Sequence, residues 1–590
     1  MTAEQILSEA IRLELGGDLL AAYDLVAQGL SKFPQDVDLR HRAVLLLARG
    51  GATSRAYSEY ERLELRHVRD HVDVIALGAR LHKDLALAAE GPERRRLAQE
   101  AADMYAAAYA LHQDYYPGIN TATMLLIAGD SAGARTIATE VLSGLSASSD
   151  KGAEDAYYRA ASRAEAYFIL GRIDEAEQAL ANALMHDSAN YAAHASTLRQ
   201  LEAICATLKL DSAWLERHSP PPSLTYCGHM FDESVLAGST LGNIKADIVS
   251  ALDRIRPCAV FGALAAGADL LIAEAALARG AELHVVLPMQ EEVFIAASVA
   301  PFGAAWIGRY EACKARAATF RLASRDTTSG DVAAFAFCSE YAMGLAIRHA
   351  EVLRTRAWQL AVWDGKAGEG VAGTAADVRR WTDTGRPQTV VAFPPRTSTN
   401  GGRLVDDERA DRRLKAMLFG DVRGFSRLRE TDISPFVARI MAPLAEALRS
   451  LIVPADLVAT WGDGIHAVYP SVTAAAEAAL ALQDAFARID LGAAGLPSHL
   501  ALRLGGHFGP VTELVDPFLK ARSFYGTHIT IAARIEPVAV PGTVYISEPF
   551  AALLALEAPG RFSTDYVGQT ELPKQFGTMR LFVLRRARPT

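Results

Sequence analysis

From residue 1 to about residue 215, apolar positions recur at the three-to-four-residue spacing of amphipathic helices, with polar side chains filling the gaps. The pattern also repeats. Gly17 is followed five residues later by Ala22 and then Tyr23, and Gly51, Ala56 and Tyr57 reproduce that order 34 positions further on. Gly129 with Ala134 and Gly171 with Ala176 keep the glycine-to-alanine offset, but 42 positions separate them, which predicts an altered repeat or an insertion. Small residues at fixed places let paired helices approach closely and stack, leaving a concave face suited to a protein partner. The plainer alternative is an irregular bundle that packs only on the rest of the chain.

Pro220, Pro221 and Pro222 stop this pattern, since proline lacks the amide hydrogen and fixes φ. Apolar strands then alternate with helical stretches: SLTYCGHM, a helix near residues 240 to 254, CAVFGALAAGAD, a second helix, AELHVVLP, WQLAVWDG and TVVAF. Such alternation predicts a parallel sheet with helices on both faces, over residues 223–395. In sheets of this kind ligands sit beyond the carboxyl ends of the strands, where glycine lets the main chain approach them. Gly228, Gly262, Gly267, Asp269, Asp364, Gly365, Gly373 and Thr374 fall at those ends and are the candidate ligand residues of this region. After Pro394 and Pro395, the polar stretch RTSTNGGRLVDDERADRR, residues 396–413, reads as a linker.

The last segment, 414–590, begins with the apolar strand LKAMLFGDVRGFS, which ends in Asp421 and turns through Gly424. A long helix follows, and then LVATWGDGIHAVYP sets Asp463 on a tight glycine-flanked turn, 42 residues after Asp421. A strand, helix and hairpin can bring both carboxylates onto adjacent strands. Hard oxygen ligands there suit Mg²⁺ or Mn²⁺, and two metals per site become possible.

Composition narrows the setting. At 590 residues the chain is long enough for several domains, and with 50% hydrophobic and 22% charged residues it is ordinary globular material. The net charge is −9 and basic runs such as Arg94-Arg95-Arg96 are short, which argues against nucleic acid as a partner. Cys205, Cys227, Cys258, Cys313 and Cys338 are odd in number and scattered, as expected for reduced thiols in a cytoplasmic protein. The opening MTAEQILSEAIRLELGG carries acids rather than a secretory signal, and no apolar run approaches the ~20 residues that span a bilayer.

Three resemblances attach to these segments. Residues 1–218 resemble tetratricopeptide repeats, whose period is the 34 positions noted above. Residues 223–395 resemble the SLOG family of Rossmann-like domains through GALAAGADLLIAEAAL, the VWDG strand end and the GTAAD turn. The G-x-G-x-x-G fingerprint is absent; the resemblance implies a nucleotide-like ligand, with a hydrolase or a ligand-free adaptor as alternatives. Residues 414–590 resemble class III adenylyl and guanylyl cyclases, with FGDVRGFS, WGDGIHAV, ALRLGGHFG, FYGTHITIAARIEP and PGTVYISE in the family's order. The fold implied is a multidomain chain: helical repeats, a Rossmann-like α/β domain and an α+β, ferredoxin-like cyclase domain.

The cyclase resemblance implies conversion of a nucleoside triphosphate, ATP favoured, into the cyclic mononucleotide and pyrophosphate. Asp421 and Asp463 are its paired metal ligands, and the Phe425-Ser426 turn offers amides to phosphate. Arg503 stands where the family contacts phosphate, Arg534 where it stabilises the pentavalent α-phosphate, and Lys574 where it grips the β and γ phosphates. Three positions depart from the pattern. Ala459 replaces the base-reading lysine or glutamate, Ser523 the aspartate, and Thr530 the ribose-orienting asparagine, which leaves GTP or a pyrimidine triphosphate open. His466, His507 and His528 read as packing residues. Because the family's site forms between two such domains, a homodimer is expected, regulated by the upstream segments. The rival readings are a silent nucleotide-binding module and a scaffold.

Overall fold

The computed structural model describes the chain except residues 16–17, 69–70, 113, 148–151, 188–189, 233–237, 326–330, 367–369, 395–411 and 588–590. It divides into two compact units, Met1–Pro220 with Glu351–Thr355, and Pro221–Ala350 with Arg356–Pro589.

The first unit is helical, running from Ala3–Leu15 to Tyr191–Leu208. The repeated glycines and alanines have a common structural reason. Gly51, Gly129 and Gly171 adopt positive φ, the left-handed conformation that ends a helix at least cost when the residue has no Cβ. Ala22, Ala56, Ala134 and Ala176 are fully buried in the first turns of the helices that follow, where a larger side chain would hold the helices apart. Gly17 lies outside the described residues.

The second unit holds two sheets. The first has the order β4-β3-β2-β1-β5-β6 and is parallel throughout. Its strands are β1 (Ser223–Gly228), β2 (Ala259–Gly262), β3 (Glu282–Leu287), β4 (Thr319–Leu322), β5 (Ala357–Trp363) and β6 (Gln388–Ala392). The helix expected at 240–254 spans Gly238–Ile255. β4 escapes the sequence reading because TFRL is four half-exposed residues with no buried face to show a pattern. The chain order reverses between β1 and β5, and there the helices Ala268–Leu277 and Thr374–Thr382 begin at the strand ends.

The second sheet runs β13-β14-β12-β10-β7-β9-β8, with β11 added to β10. These strands are β7 (Arg412–Arg423), β8 (Leu457–Trp461), β9 (Gly464–Tyr469), β10 (Ala501–Val515), β11 (Arg522–Tyr525), β12 (Val544–Ser547), β13 (Phe562–Glu571) and β14 (Thr578–Arg586). The expected linker 396–413 lies outside the described residues, apart from Arg412 and Arg413. Those two belong to β7, because Arg412 is in register with Thr512 and its guanidinium is bound to the Asp331 carboxylate. Among the described residues no helix is long and apolar enough to cross a membrane.

One helix, Val332–Leu353, connects the two sheets' surroundings. Its Phe337 ring packs on Phe508 and His528 of the second sheet's layer, with centroids 5.9 Å and 5.4 Å away. Further along, Gly344 meets the helix Glu548–Glu557 so closely that a Cβ would stand 2.3 Å from the Ala552 carbonyl oxygen. Gly344→Leu is therefore expected to destabilise the protein by about 3 kcal/mol through overpacking against main chain, measured as a lower urea midpoint at an unchanged m-value.

Candidate active site

β7 lies between β10 and β9, and Asp421, near its end, is in register with Arg503 of β10. The Trp461-Gly462-Asp463-Gly464 turn closes the β8–β9 hairpin, with Gly462 at φ 63°. Because β9 pairs with β7, this turn stands at the Asp421 end of the sheet. The Val422 amide donates to Asp463 Oδ2 at 3.2 Å, and the two carboxylates are within hydrogen-bonding reach of each other. Sequence separation has become contact.

The electrostatics follow from that contact. Asp463 is pushed up to about 6, first by burial and then by its hydrogen bond with Asp421 and by the Asp421 charge. Asp421 Oδ2 accepts from Arg503 Nη2 at 2.6 Å, and the same nitrogen lies 3.0 Å from Glu536 Oε1. Glu536 is pushed up to about 7, by burial first, against the lowering charge of Arg503, with Asp421 and Asp463 adding to the rise. Asp421 and Glu536 thus share the Arg503 guanidinium, while Asp463 stands against Asp421 without it.

The donors fit a hard divalent ion. Among the described residues no group of three His, Cys, Asp or Glu side chains forms a closed metal set. Two carboxylates with positions left for water and phosphate suit Mg²⁺ or Mn²⁺ better than a structural ion that needs a full protein cage.

Glu536 was not anticipated. It stands two residues after Arg534 in AARIEP, at the end of the helix Thr527–Ile535, and reaches the acids because Gly505 of β10 has no side chain. A Cβ on Gly505 would lie 2.4 Å from the Glu536 nitrogen. An acid directly after a helix that follows a double glycine strand was the available signal, and it is a faint one.

The other expected residues are distributed as follows. Gly424, at φ 95°, leads into the single turn Phe425–Arg427, and the Phe425 ring packs on Phe436 at 4.8 Å and faces Gly462. Phe425 therefore stands beside the Asp463 turn, with Ser426 next to it in the chain. Thr530 and Arg534 are one helical turn apart, and the buried Arg534 Nε has no hydrogen-bond partner among the described residues. Lys574 is exposed on the β13–β14 turn, at φ 62°. Ser523 is on β11, and Ala459 is exposed on β8 opposite His466. Among the described residues no hydrogen bond or ion pair joins Arg534, Lys574, Ser523 or Thr530 to the two aspartates. His507 and His528 are buried and bonded to each other at 2.8 Å, and His466 stacks on Phe419, each packed as its sequence context suggests.

In the parallel sheet, Gly228, Gly262, Asp269, Gly373 and Thr374 line one cavity of about 270 Å³. Gly267, Asp364 and Gly365 do not line it. Gly267 is packed against the main chain of His229 and Phe231, and Asp364 pairs with His229 at 3.2 Å.

Comparison with known proteins finds relatives for two segments of the chain. Residues 411–586 match the Adenylate and Guanylate cyclase catalytic domain family, and residues 18–125 match the Tetratricopeptide Repeats-Sensor family. A Rhizobium meliloti (strain 1021) protein named "Putative adenylate cyclase 3" is 36% identical over 141 residues, 23% of this chain and 22% of that protein's length. The chain thus spans about a fifth of the curated relative it matches. Among solved structures, the guanylate cyclase domain of RhGC from Catenaria anguillulae, in complex with GTP, is 21% identical, with a TM-score of 0.27 over 30% of this chain and 100% of that one. The adenylyl cyclase CyaB from P. aeruginosa is 16% identical, with a TM-score of 0.27 over 30% and 97% of the respective chains. The chain therefore carries a class III adenylate/guanylate cyclase catalytic domain behind tetratricopeptide sensor-type repeats.

Proposed function

We infer that this protein converts a nucleoside triphosphate, ATP in preference, into the 3′,5′-cyclic mononucleotide and pyrophosphate. The observation that carries the reading is the contact between Asp421 and Asp463 at the end of β7, where burial and mutual repulsion favour a bound cation. Mg²⁺ or Mn²⁺, two per site, would supply activation of the ribose hydroxyl and neutralise the triphosphate. Asp421 and Asp463 would hold these ions, and the Phe425-Ser426 turn would offer its amides to phosphate. Arg503 offsets part of the carboxylate charge; its own phosphate contact would need the ion pair with Asp421 to open. Arg534, with an unused Nε, suits the α-phosphate as charge grows there, and Lys574 the terminal phosphates.

A homodimer would bring Arg534 and Lys574 of one protomer toward the acids of the other. The hairpin ends support this. Trp461 is 92% exposed and Phe518 is 93% exposed, a cost that a monomer in water has no reason to bear and that a partner would relieve. Phe518→Glu is expected to lower dimer affinity by at least tenfold, read by sedimentation, with specific activity falling in parallel at low protein concentration.

Regulation has a physical route in the helix Val332–Leu353. Cys338, Ser339, Ala342 and Met343 face the cavity of the parallel sheet, whereas Phe337, Tyr341 and Gly344 pack on the cyclase domain. His528, under Phe337, lies on the helix that carries Thr530 and Arg534. A ligand that shifts this helix would act on the site's cations.

The preference for ATP rests on the named relative, since Ala459 cannot read a base edge and Ser523 and Thr530 offer single hydroxyls. Apolar Ala459 also favours the second reading, a nucleotide-binding module without turnover. Purified protein offered ATP, GTP, CTP and UTP with Mn²⁺ or Mg²⁺ decides between them. Cyclic AMP and pyrophosphate in equal amounts are expected, and nucleotide binding with no cyclic product from any of the four would overturn the enzyme reading.

A further inference from the structure

The cavity at the carboxyl ends of β1 and β2 has a charge opposite to that expected for a phosphate site. Asp269 and Asp377 both line it, and no Lys or Arg does so among the described residues. Its histidine, His229, is tied to Asp364 at 3.2 Å. The two acids stand in the first turns of the helices Ala268–Leu277 and Thr374–Thr382, so both positive helix ends that could have held phosphate are already met by fixed carboxylates.

Neither acid is idle surface. Asp377 is 8% exposed and accepts from the Ser339 hydroxyl at 3.1 Å. Asp269 accepts the Ala265 amide on its carboxylate, while its Oδ1 is enclosed and has no hydrogen-bond partner. A buried acceptor left without a donor costs stability unless something fills the place. Burial first, and then the Asp377 charge, push the Asp269 carboxyl well above its ordinary range. Phe294, Phe302, Phe335 and Met343 give the wall an apolar part, and Thr225, Ser298 and Thr374 add neutral hydroxyl side chains.

We propose that this cavity binds a small organic cation, a protonated amine or amidinium on an apolar body, with Asp269 Oδ1 as its anchor and Asp377 beside it. The proposal departs from the nucleotide-like ligand expected from the glycine-rich strand ends, and it stands independently of cyclase activity. Volume agrees: about 270 Å³ admits a group the size of an aralkylamine.

The test uses the full chain and calorimetry with phenethylamine and benzamidine as probes, and AMP and ADP-ribose as comparators. Binding of at least one cation, weakened tenfold or more in Asp269→Asn, is expected. The unliganded Asp269→Asn protein should melt no lower than wild type, because the substitution removes an acid that burial and the Asp377 charge disfavour; a purely structural acid would give a lower Tm. Should that variant fail to fold, Ala342→Leu fills the same cavity without touching either carboxylate and should also abolish binding. No binding by either cation, unchanged binding in the variants, or tighter binding of AMP or ADP-ribose would overturn the proposal.

Discussion

Asp463→Asn is expected to reduce the rate of cyclic nucleotide formation by 10³-fold or more, about 4 kcal/mol of transition-state stabilisation. The reason is local. Asp463 and Asp421 hold the charge that would bind the metal, and asparagine keeps the shape of the turn, including an oxygen for the Val422 amide, while removing that charge. Asp421→Asn should fall as far and should also leave Arg503 to Glu536 alone of its two carboxylate partners. The two losses should not add, since either substitution alone dismantles the same cation site. Arg534→Ala should differ in kind, lowering kcat with little change in KM, because its partner charge develops during the reaction. Initial rates over a matrix of ATP and Mn²⁺ concentrations separate these cases. Activity in Asp463→Asn within tenfold of wild type would remove the acid pair from the mechanism.

Glu548→Ala is expected to destabilise the second unit by about 3–5 kcal/mol, the cost of leaving buried cations without their counter-charge. Glu548 begins the helix Glu548–Glu557 and is buried. Its carboxylate accepts from the Tyr341 hydroxyl at 2.7 Å and from Arg321 Nε at 3.3 Å, both from the parallel-sheet side, and lies 3.5 Å from Arg580 Nη1 of β14. Burial alone would raise this carboxyl. The charges of Arg321 and Arg580, with the Tyr341 bond and Arg348, outweigh it and hold Glu548 at about 2. A folded-state value below the ordinary 4.5 means stability that is present above pH 4.5 and lost as pH falls toward 2, up to about 3 kcal/mol. Glu548→Gln keeps the shape and should flatten that acid limb of the stability profile, as followed by urea unfolding at stepped pH. An unchanged acid limb would assign the loss to other carboxylates.

Much of the architecture was legible along the chain because it is written in local rules. The glycine-to-alanine offset marks a left-handed turn followed by a buried first helical turn, and both are properties of a few consecutive residues. The alternation after Pro222 announces parallel strands, since strands buried on both faces read as short apolar runs. Asp421 and Asp463 were recognisable because each ends an apolar strand in a glycine turn. β4 was not, being too short and half-exposed to carry a period, and Glu536 was not, since nothing near it in sequence states that Gly505 will admit it to the acids.

The elements, the tight turns and the identities of the acids and cations are already written along the linear chain. Which of them meet was settled by folding. It put Arg503 on Asp421 rather than in an open cleft, faced Asp269 toward Asp377 across 108 positions of chain, and pressed Gly344 against Ala552. The physical reason is range: turn geometry and hydrophobic period act over a few residues, whereas desolvation and charge pairing depend on whatever the folded chain brings within a few ångströms.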